Sequence, residues 1–437
     1  MANKLGFWSI ILLGVNTILG SGIFLLPGSF YISLNERGVF PTLIVIATVI
    51  SISLCFAEAS GIFEGYGGPY IYVREAMGEF MGFQVGFMKW AISLLSWATT
   101  AMAFAHLIST FFNIGHVPYI EKIFAGFFIV ILSYVNFLGV KLTKNLNNIV
   151  TLGKIIPILL FVFIGIKYIG DSNLLLITRE PRGLITGFKD PILIFFFAFT
   201  GFETIAVAAK DMKTPLKNLP KVIISVVIGI IILYIILIFS ILGILGDNIE
   251  PNSYPIFDAA HLLLGPLGGI FFLSGVIISI IGINVATSFT SPRSIVALSE
   301  KNTMPKFLSQ KNKYGAPSAA IILTGSLTII IILIGGNFNT LASFSVISMI
   351  SQYLLTCVAV IIFKKQGIQG SLVLPGGYLI PLIALVSMGL LFYNYLIYII
   401  TIFLVFFLIG KCFYSYNYHP NKKIRKFNPF SKNIENF

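Results

Sequence analysis

Leu13-Gly14-Val15-Asn16-Thr17-Ile18-Leu19-Gly20-Ser21-Gly22-Ile23-Phe24-Leu25-Leu26-Pro27 is the stretch on which the reading of this chain turns. It is apolar enough to enter a bilayer, yet it is a poor continuous helix. Gly20 and Gly22 flank a serine, and Pro27 removes the amide that would bond back to the Ile23 carbonyl. The helix is therefore expected to open near residues 20–22. In hydrocarbon an unpaired backbone group costs several kcal/mol, so such an opening persists only where it lines a cavity that is watery or buried in protein.

Working outward, the same pattern returns at Phe195-Phe196-Phe197-Ala198-Phe199-Thr200-Gly201-Phe202-Glu203, where a threonine–glycine pair precedes a carboxylate in an apolar run. Apolar runs poor in charge fall at about 6–33, 39–62, 84–112, 120–139, 147–169, 190–210, 220–246, 266–292, 317–335, 339–363, 374–392 and 394–412. These are numbered here as segments 1 to 12, each near the roughly 20 apolar residues that a helical crossing needs. The two breaks, in segments 1 and 6, are five segments apart. An odd offset inverts the second copy relative to the first, and paired interrupted helices in inverted halves point to a central binding site. Taken singly, the glycines of segment 1 also suit close helix packing; the second break favours the cavity.

Composition agrees. Of 437 residues, 57% are hydrophobic and 10% charged, against about 45–50% and about 25% in soluble domains; mean hydropathy is +0.95. A water-soluble fold is excluded. Cys55, Cys357 and Cys412 are too far apart for a metal site or a disulfide framework, and no metal or other cofactor is expected. Met1–Lys4 is too short and too weakly charged for the leading region of a signal peptide, so segment 1 is expected to remain as a span.

The net charge of +13 has a topological cause. With twelve crossings both termini share a side, and that side collects 22 of the 29 Lys and Arg residues, including Arg74, Lys89, Lys213, Lys364 and the tail from Lys411 to Lys432; the other side has six, and Lys154 remains inside segment 5. The basic side is expected to be cytoplasmic. The excess then reports orientation in a bacterial inner membrane, and no nucleic-acid partner is implied. Between segments 2 and 3, Glu64–Gly82 is too polar to span and is expected to form a short helix on the cytoplasmic surface. No polar stretch is long enough to fold alone, so residues 1–437 read as a single all-α polytopic membrane domain. In it, segments 1–5 (about 6–169) and 6–10 (about 190–363) form the two repeats, with segments 11 and 12 (about 374–412) and a basic tail (413–437) added.

The ends exposed by the breaks dictate a chemistry. Free amides at the start of a half-helix suit a carboxylate, and free carbonyls at the end of the other suit an ammonium. An α-amino acid offers both. Gly20 and Gly201 open the chain, the amides of Ser21, Gly22 and Ile23 are expected to take the carboxylate, and carbonyls near Ile18 and over Phe197, Ala198, Phe199 and Thr200 the amine.

These residues carry a resemblance. Gly20 to Phe24 with Pro27, Phe197 to Glu203 continuing to Asn218-Leu219-Pro220, and Gly67-Gly68-Pro69-Tyr70 through Ala76 are similar to motifs of the amino acid–polyamine–organocation superfamily, in its bacterial amino acid permease branch. Arg293 through Ala297, Pro305 and Pro317 resemble the loop after segment 8, so the match covers about residues 5–320. The resemblance implies a twelve-helix fold of the leucine-transporter type, a five-plus-five inverted repeat with helices 1 and 6 broken. It also implies a proton-linked or exchange transporter that alternates between outward and inward states. It places substrate backbone contacts on Ile18, Ser21, Gly22, Phe197, Ala198 and Thr200, and an aromatic gate on Phe197, where members often have tryptophan.

Lys154 lies about ten ångströms deep at ~1.5 Å rise per residue. It either snorkels to the interface or exchanges a proton as a cavity opens and closes; the resemblance implies the second, with the lysine at a position that sodium fills in sodium-coupled relatives. Glu203 is expected to accept from freed amides or to tie the broken helices together. Glu58 is read as interfacial, His106 as hydrogen-bonded within the bundle, and Asn284, Thr287 and Ser288 as polar glue before sodium ligands. With no Asp or Glu in segments 3, 8 or 10, a neutral amino acid is favoured as substrate, and proton symport is placed ahead of exchange. A channel would need a continuous polar lining, and an enzyme a nucleophile with its base or a metal cluster; the sequence presents neither. Oligomeric state is left open.

Overall fold

A chain in hydrocarbon must pair its backbone groups internally, and the computed structural model does so with helices. The structure describes residues 6–20, 27–28, 30–31, 33, 39–63, 67–171, 191–207, 212–246, 255–335 and 338–417. In chain order the helices are α1 (Phe7–Ile18), α2 (Val39–Ser60), α3 (Pro69–Met77), α4 (Glu79–Phe111), α5 (Ile120–Phe137), α6 (Val140–Gly165), α7 (Pro191–Phe197), α8 (Glu203–Val207), α9 (Pro215–Leu245), α10 (Pro255–Glu300), α11 (Ser318–Gly335), α12 (Phe338–Lys365), α13 (Leu379–Phe392) and α14 (Leu396–Asn417).

Among the described residues nine stretches are helices long and apolar enough to cross a membrane. Twelve were expected, and the difference has local causes. Segment 1 stops as a helix at Ile18, and segment 6 is divided between α7 and α8, so neither offers a long continuous helix. Segments 11 and 12 run together through the 3-10 turn Tyr393–Tyr395 and count as one stretch, Leu379–Ser415. Segment 8 is longer than expected. Gly265, at φ 69°, kinks α10 before Pro266, and the helix then continues past residue 292 to Glu300.

The packing is centred on α4 and α10, which lie against each other; α10 also meets α6, and α4 meets α12. One buried apolar cluster runs from Ile10 to Ile399 and ties both halves of the chain together. The outer surface is apolar too: Phe163 is 76% exposed and Ile334 81%, the reverse of a water-solvated fold and suited to lipid. α13 packs on α2 and α14 on α4, at the periphery. The short helix expected before segment 3 is α3, and one face of it is set into the bundle. Its Pro69, Tyr70, Tyr72 and Val73 are buried, because α3 packs between α4 and α12.

Two glycines of α9 separate packing from propensity. A Cβ on Gly243 would lie 1.9 Å from the Tyr168 carbonyl oxygen, whereas one on Gly229 meets nothing within 4 Å. Gly243→Ala is expected to destabilise by about 1–3 kcal/mol through overpacking. Gly229→Ala is expected to be neutral or to stabilise by up to about 1 kcal/mol. Melting of the two purified variants in detergent separates these outcomes.

Candidate functional site

α1 ends because Leu19 leaves the helical region, with φ −69° and ψ 89°. The freed carbonyls do not stay empty. Lys154, fully buried on α6, donates its Nζ to the carbonyls of Asn16, at 3.1 Å, and of Leu19. Ser279 of α10 donates to the same Leu19 carbonyl at 3.2 Å. The Tyr234 hydroxyl of α9 donates to the Ala198 carbonyl at 3.2 Å and lies 3.5 Å from that of Ile18. Side chains of three helices thus hold the end of a fourth. Lys154 does not snorkel; its Nζ is held at the break itself.

The second break runs over residues 198–202, between α7 and α8. Thr200 turns back on α7, its amide and hydroxyl both donating to the Phe197 carbonyl, at 3.0 and 2.7 Å. Gly201 has φ 114°, and a Cβ there would lie 2.3 Å from the Thr17 carbonyl oxygen. Only glycine satisfies both demands. The two breaks therefore touch, with backbone against backbone, in the middle of the bundle.

Beside this contact lies a cavity of about 60 Å³. Of the residues singled out from sequence, Ile18, Phe197, Ala198, Thr200, Gly201, Glu203 and Thr287 line it. Gly20 sits at the bend, where a Cβ would meet Ile283 Cδ1 at 2.3 Å, and Ile283 is itself on the cavity wall. Phe199 is buried elsewhere, against the rings of Phe195 and Tyr234. Phe197 meets Phe338 edge to face at 6.2 Å. Ser21, Gly22 and Ile23 lie outside the described residues.

Glu203 is the best-partnered carboxylate. Oε1 accepts from Lys89 Nζ at 2.9 Å, and Oε2 accepts from the Tyr353 hydroxyl at 3.0 Å and the Gly201 amide at 2.9 Å. The side chains of Lys89 and Glu203 are 5% and 2% exposed. Neither Lys89 nor Tyr353 was evident from sequence. Lys89 was counted with the loop residues of the basic side, and this is corrected: it lies within α4 and faces the cavity. The available signal was a single cation inside a long apolar helix whose opposite charge lay in segment 6.

The remaining polar candidates are structural. Glu58 pairs with Lys364 of α12 and is largely buried. His106 Nδ1 lies 2.8 Å from Glu121 on the outer surface and is far from the bundle interior expected for it. Asn284 binds Thr100 of α4 in both directions, at 3.1 and 3.0 Å, and so joins α10 to α4.

Residues 5–424 match the amino acid permease family. The chain is 29% identical to an uncharacterized transporter of Mycobacterium tuberculosis (strain ATCC 25618 / H37Rv), over 89% of this chain and 87% of that protein. It is 26% identical to the serine/threonine exchanger SteT of Bacillus subtilis (strain 168), over 84% of each. It is 25% identical to the branched-chain amino acid permease BcaP of the same strain, over 98% of this chain and 95% of that protein. The chain belongs to the amino acid permease family, whose members are membrane transporters and not enzymes.

The buried pair can be tested on stability alone. Lys89→Met strands the Glu203 carboxylate and is expected to destabilise by about 3–5 kcal/mol, while removing both charges in Lys89→Met/Glu203→Gln recovers much of that loss. The readout is melting of single and double variants, which should be strongly non-additive.

Proposed function

We propose that this permease is a secondary active transporter of neutral amino acids, working by alternating access across the bacterial cytoplasmic membrane with both termini inside. The carrying observation is the meeting of two interrupted helices at one cavity, Gly201 against the Thr17 carbonyl. On this reading twelve spans are built as two inverted repeats of five with α13 and α14 added. The packing of α4 on α10 supports it, because these are segments 3 and 8 and so a second pair at the same offset as the breaks. Localisation and orientation rest on the asymmetry of basic residues, which survives the removal of Lys89 from the count.

Neutral substrates are supported by the charge balance of the cavity. Glu203 is the carboxylate on its wall, and both of its oxygens are taken. A cationic side chain would find no free counter-ion among the described residues of the wall. Both named relatives of known specificity handle neutral amino acids, serine and threonine in one and the branched-chain set in the other. The zwitterion is assigned to the backbone of Ile18 and Gly20 to Ile23 on one side and of Phe197 to Gly201 on the other, with Phe197 as gate and Glu203 as the tie behind it.

Proton symport is proposed through Lys154. As an ammonium it has three N–H donors, two of which hold α1 at Asn16 and Leu19; as a neutral amine it has two and a weaker hold. Loss of the proton would thus loosen the hold of Lys154 on the end of α1, coupling the proton to the opening of the site. Exchange is the second reading, favoured by the likeness to an exchanger.

In proteoliposomes, uptake by the intact protein is expected to rise when the lumen is made alkaline, and Lys154→Ala is expected to lose that response. Full sensitivity of Lys154→Ala to the imposed gradient would overturn the coupling proposal. Uptake that depends only on internal amino acid would establish exchange instead.

A further inference from the structure

The cavity wall is unusually rich in hydroxyls, and most of them are already spoken for. Ser93 donates to the Trp90 carbonyl, Thr17 to Gly14, Thr287 to Ile283 and Thr290 to Ala286, each turned back on its own helix. This is the usual way for a serine or threonine in a membrane helix to satisfy itself. Two lining hydroxyls do not follow it. Ser96 of α4 and Ser291 of α10 have buried Oγ atoms with no hydrogen-bond partner among the described residues. A buried hydroxyl left unpaired is costly, and each such group calls for an explanation.

A third group points the same way. Lys89, on the cavity wall beside them, makes a single hydrogen bond among the described residues, to Glu203. An ammonium has three donors. Lys89, Ser93, Ser96 and Thr100 follow one another at helix-face spacing, so the spare donors and the free hydroxyl belong to one stripe of α4. Ser291 stands on α10, the helix packed against it. The cavity, at about 60 Å³, has room for about two waters at ~30 Å³ each, so a side chain that it admits must be small.

We propose that Ser96 and Ser291 are the specificity-determining residues of this permease, and that its substrate is a small neutral amino acid with a hydroxyl side chain, serine or threonine. The proposal rests on the reading of the cavity as the amino acid site. A hydroxyl both donates and accepts, so one substrate oxygen can satisfy a free serine on either wall and accept from the stripe that carries Lys89. An aliphatic side chain of the same size leaves all of these groups buried and unpaired. A site built to hydrogen-bond a substrate hydroxyl rejects an analogue lacking it far more strongly than an apolar pocket rejects an added one.

Near-isosteric pairs isolate that single group. Binding to the full-length protein in nanodiscs is measured with L-threonine against L-valine, and L-serine against L-2-aminobutyrate, each pair differing by OH for CH3. L-Threonine is expected to bind at least about tenfold more tightly than L-valine, and L-serine likewise over its partner. In Ser96→Ala and in Ser291→Ala the threonine-to-valine ratio is expected to fall at least about threefold. The melting temperature without ligand serves as the check on folding. L-Valine equal to L-threonine in the unmodified protein overturns this inference and leaves amino acid transport standing, and so does a ratio unmoved in both variants. If a folded protein binds none of the four, both readings fall together.

Discussion

Peptide groups cannot be left unpaired in hydrocarbon, and the centre of this protein is organised by the need to pair those that two broken helices set free. The end of α1 is held by Lys154 from α6, Tyr234 from α9 and Ser279 from α10. The turn between α7 and α8 is held by Thr200, Tyr234 and Glu203. Because Tyr234 reaches both breaks, the two are fixed by shared donors and by direct contact at Gly201. The cavity lies beside these two breaks, and the long helices α4 and α10 form much of its wall.

Buried charge follows the same economy of partners. Lys89 and Glu203 join α4 to α8, and Tyr353 adds α12, so three elements distant in sequence meet at one carboxylate. An isolated buried ion would be prohibitive, whereas a pair that also accepts from a hydroxyl and a backbone amide is tolerable. What such a pair contributes is less stability than position: it fixes where the short helix α8 stands relative to the walls of the cavity.

Much of this was legible in the sequence, and the boundary of legibility has physical causes. The interruptions could be read because glycine, serine, threonine and proline act locally on the helix that contains them. That Lys154 is buried inside the bundle was legible as a question only; its answer lay in carbonyls of residues 16 and 19, more than a hundred positions away. Lys89 was misread because hydropathy counts a lysine as polar wherever it stands, and its partner is 114 residues distant. α3 was visible as a helix between spans, but its burial depends on α12, which composition alone does not bring near it. The extension of α10 to Glu300 was hidden because Pro292 and Arg293 look like the end of a span, although the helix carries both.

The three-helix grip on α1 also has a solvent side. If α1 is to swing, the carbonyls of Asn16, Ile18 and Leu19 must exchange side-chain donors for others, and where no substrate amine reaches them the replacement is water. Opening is then a hydration reaction, with water molecules as reactants that appear in its equilibrium constant. On that condition the conformational balance would be tied to the activity of water, and osmolytes excluded from the surface would press it toward the dry form.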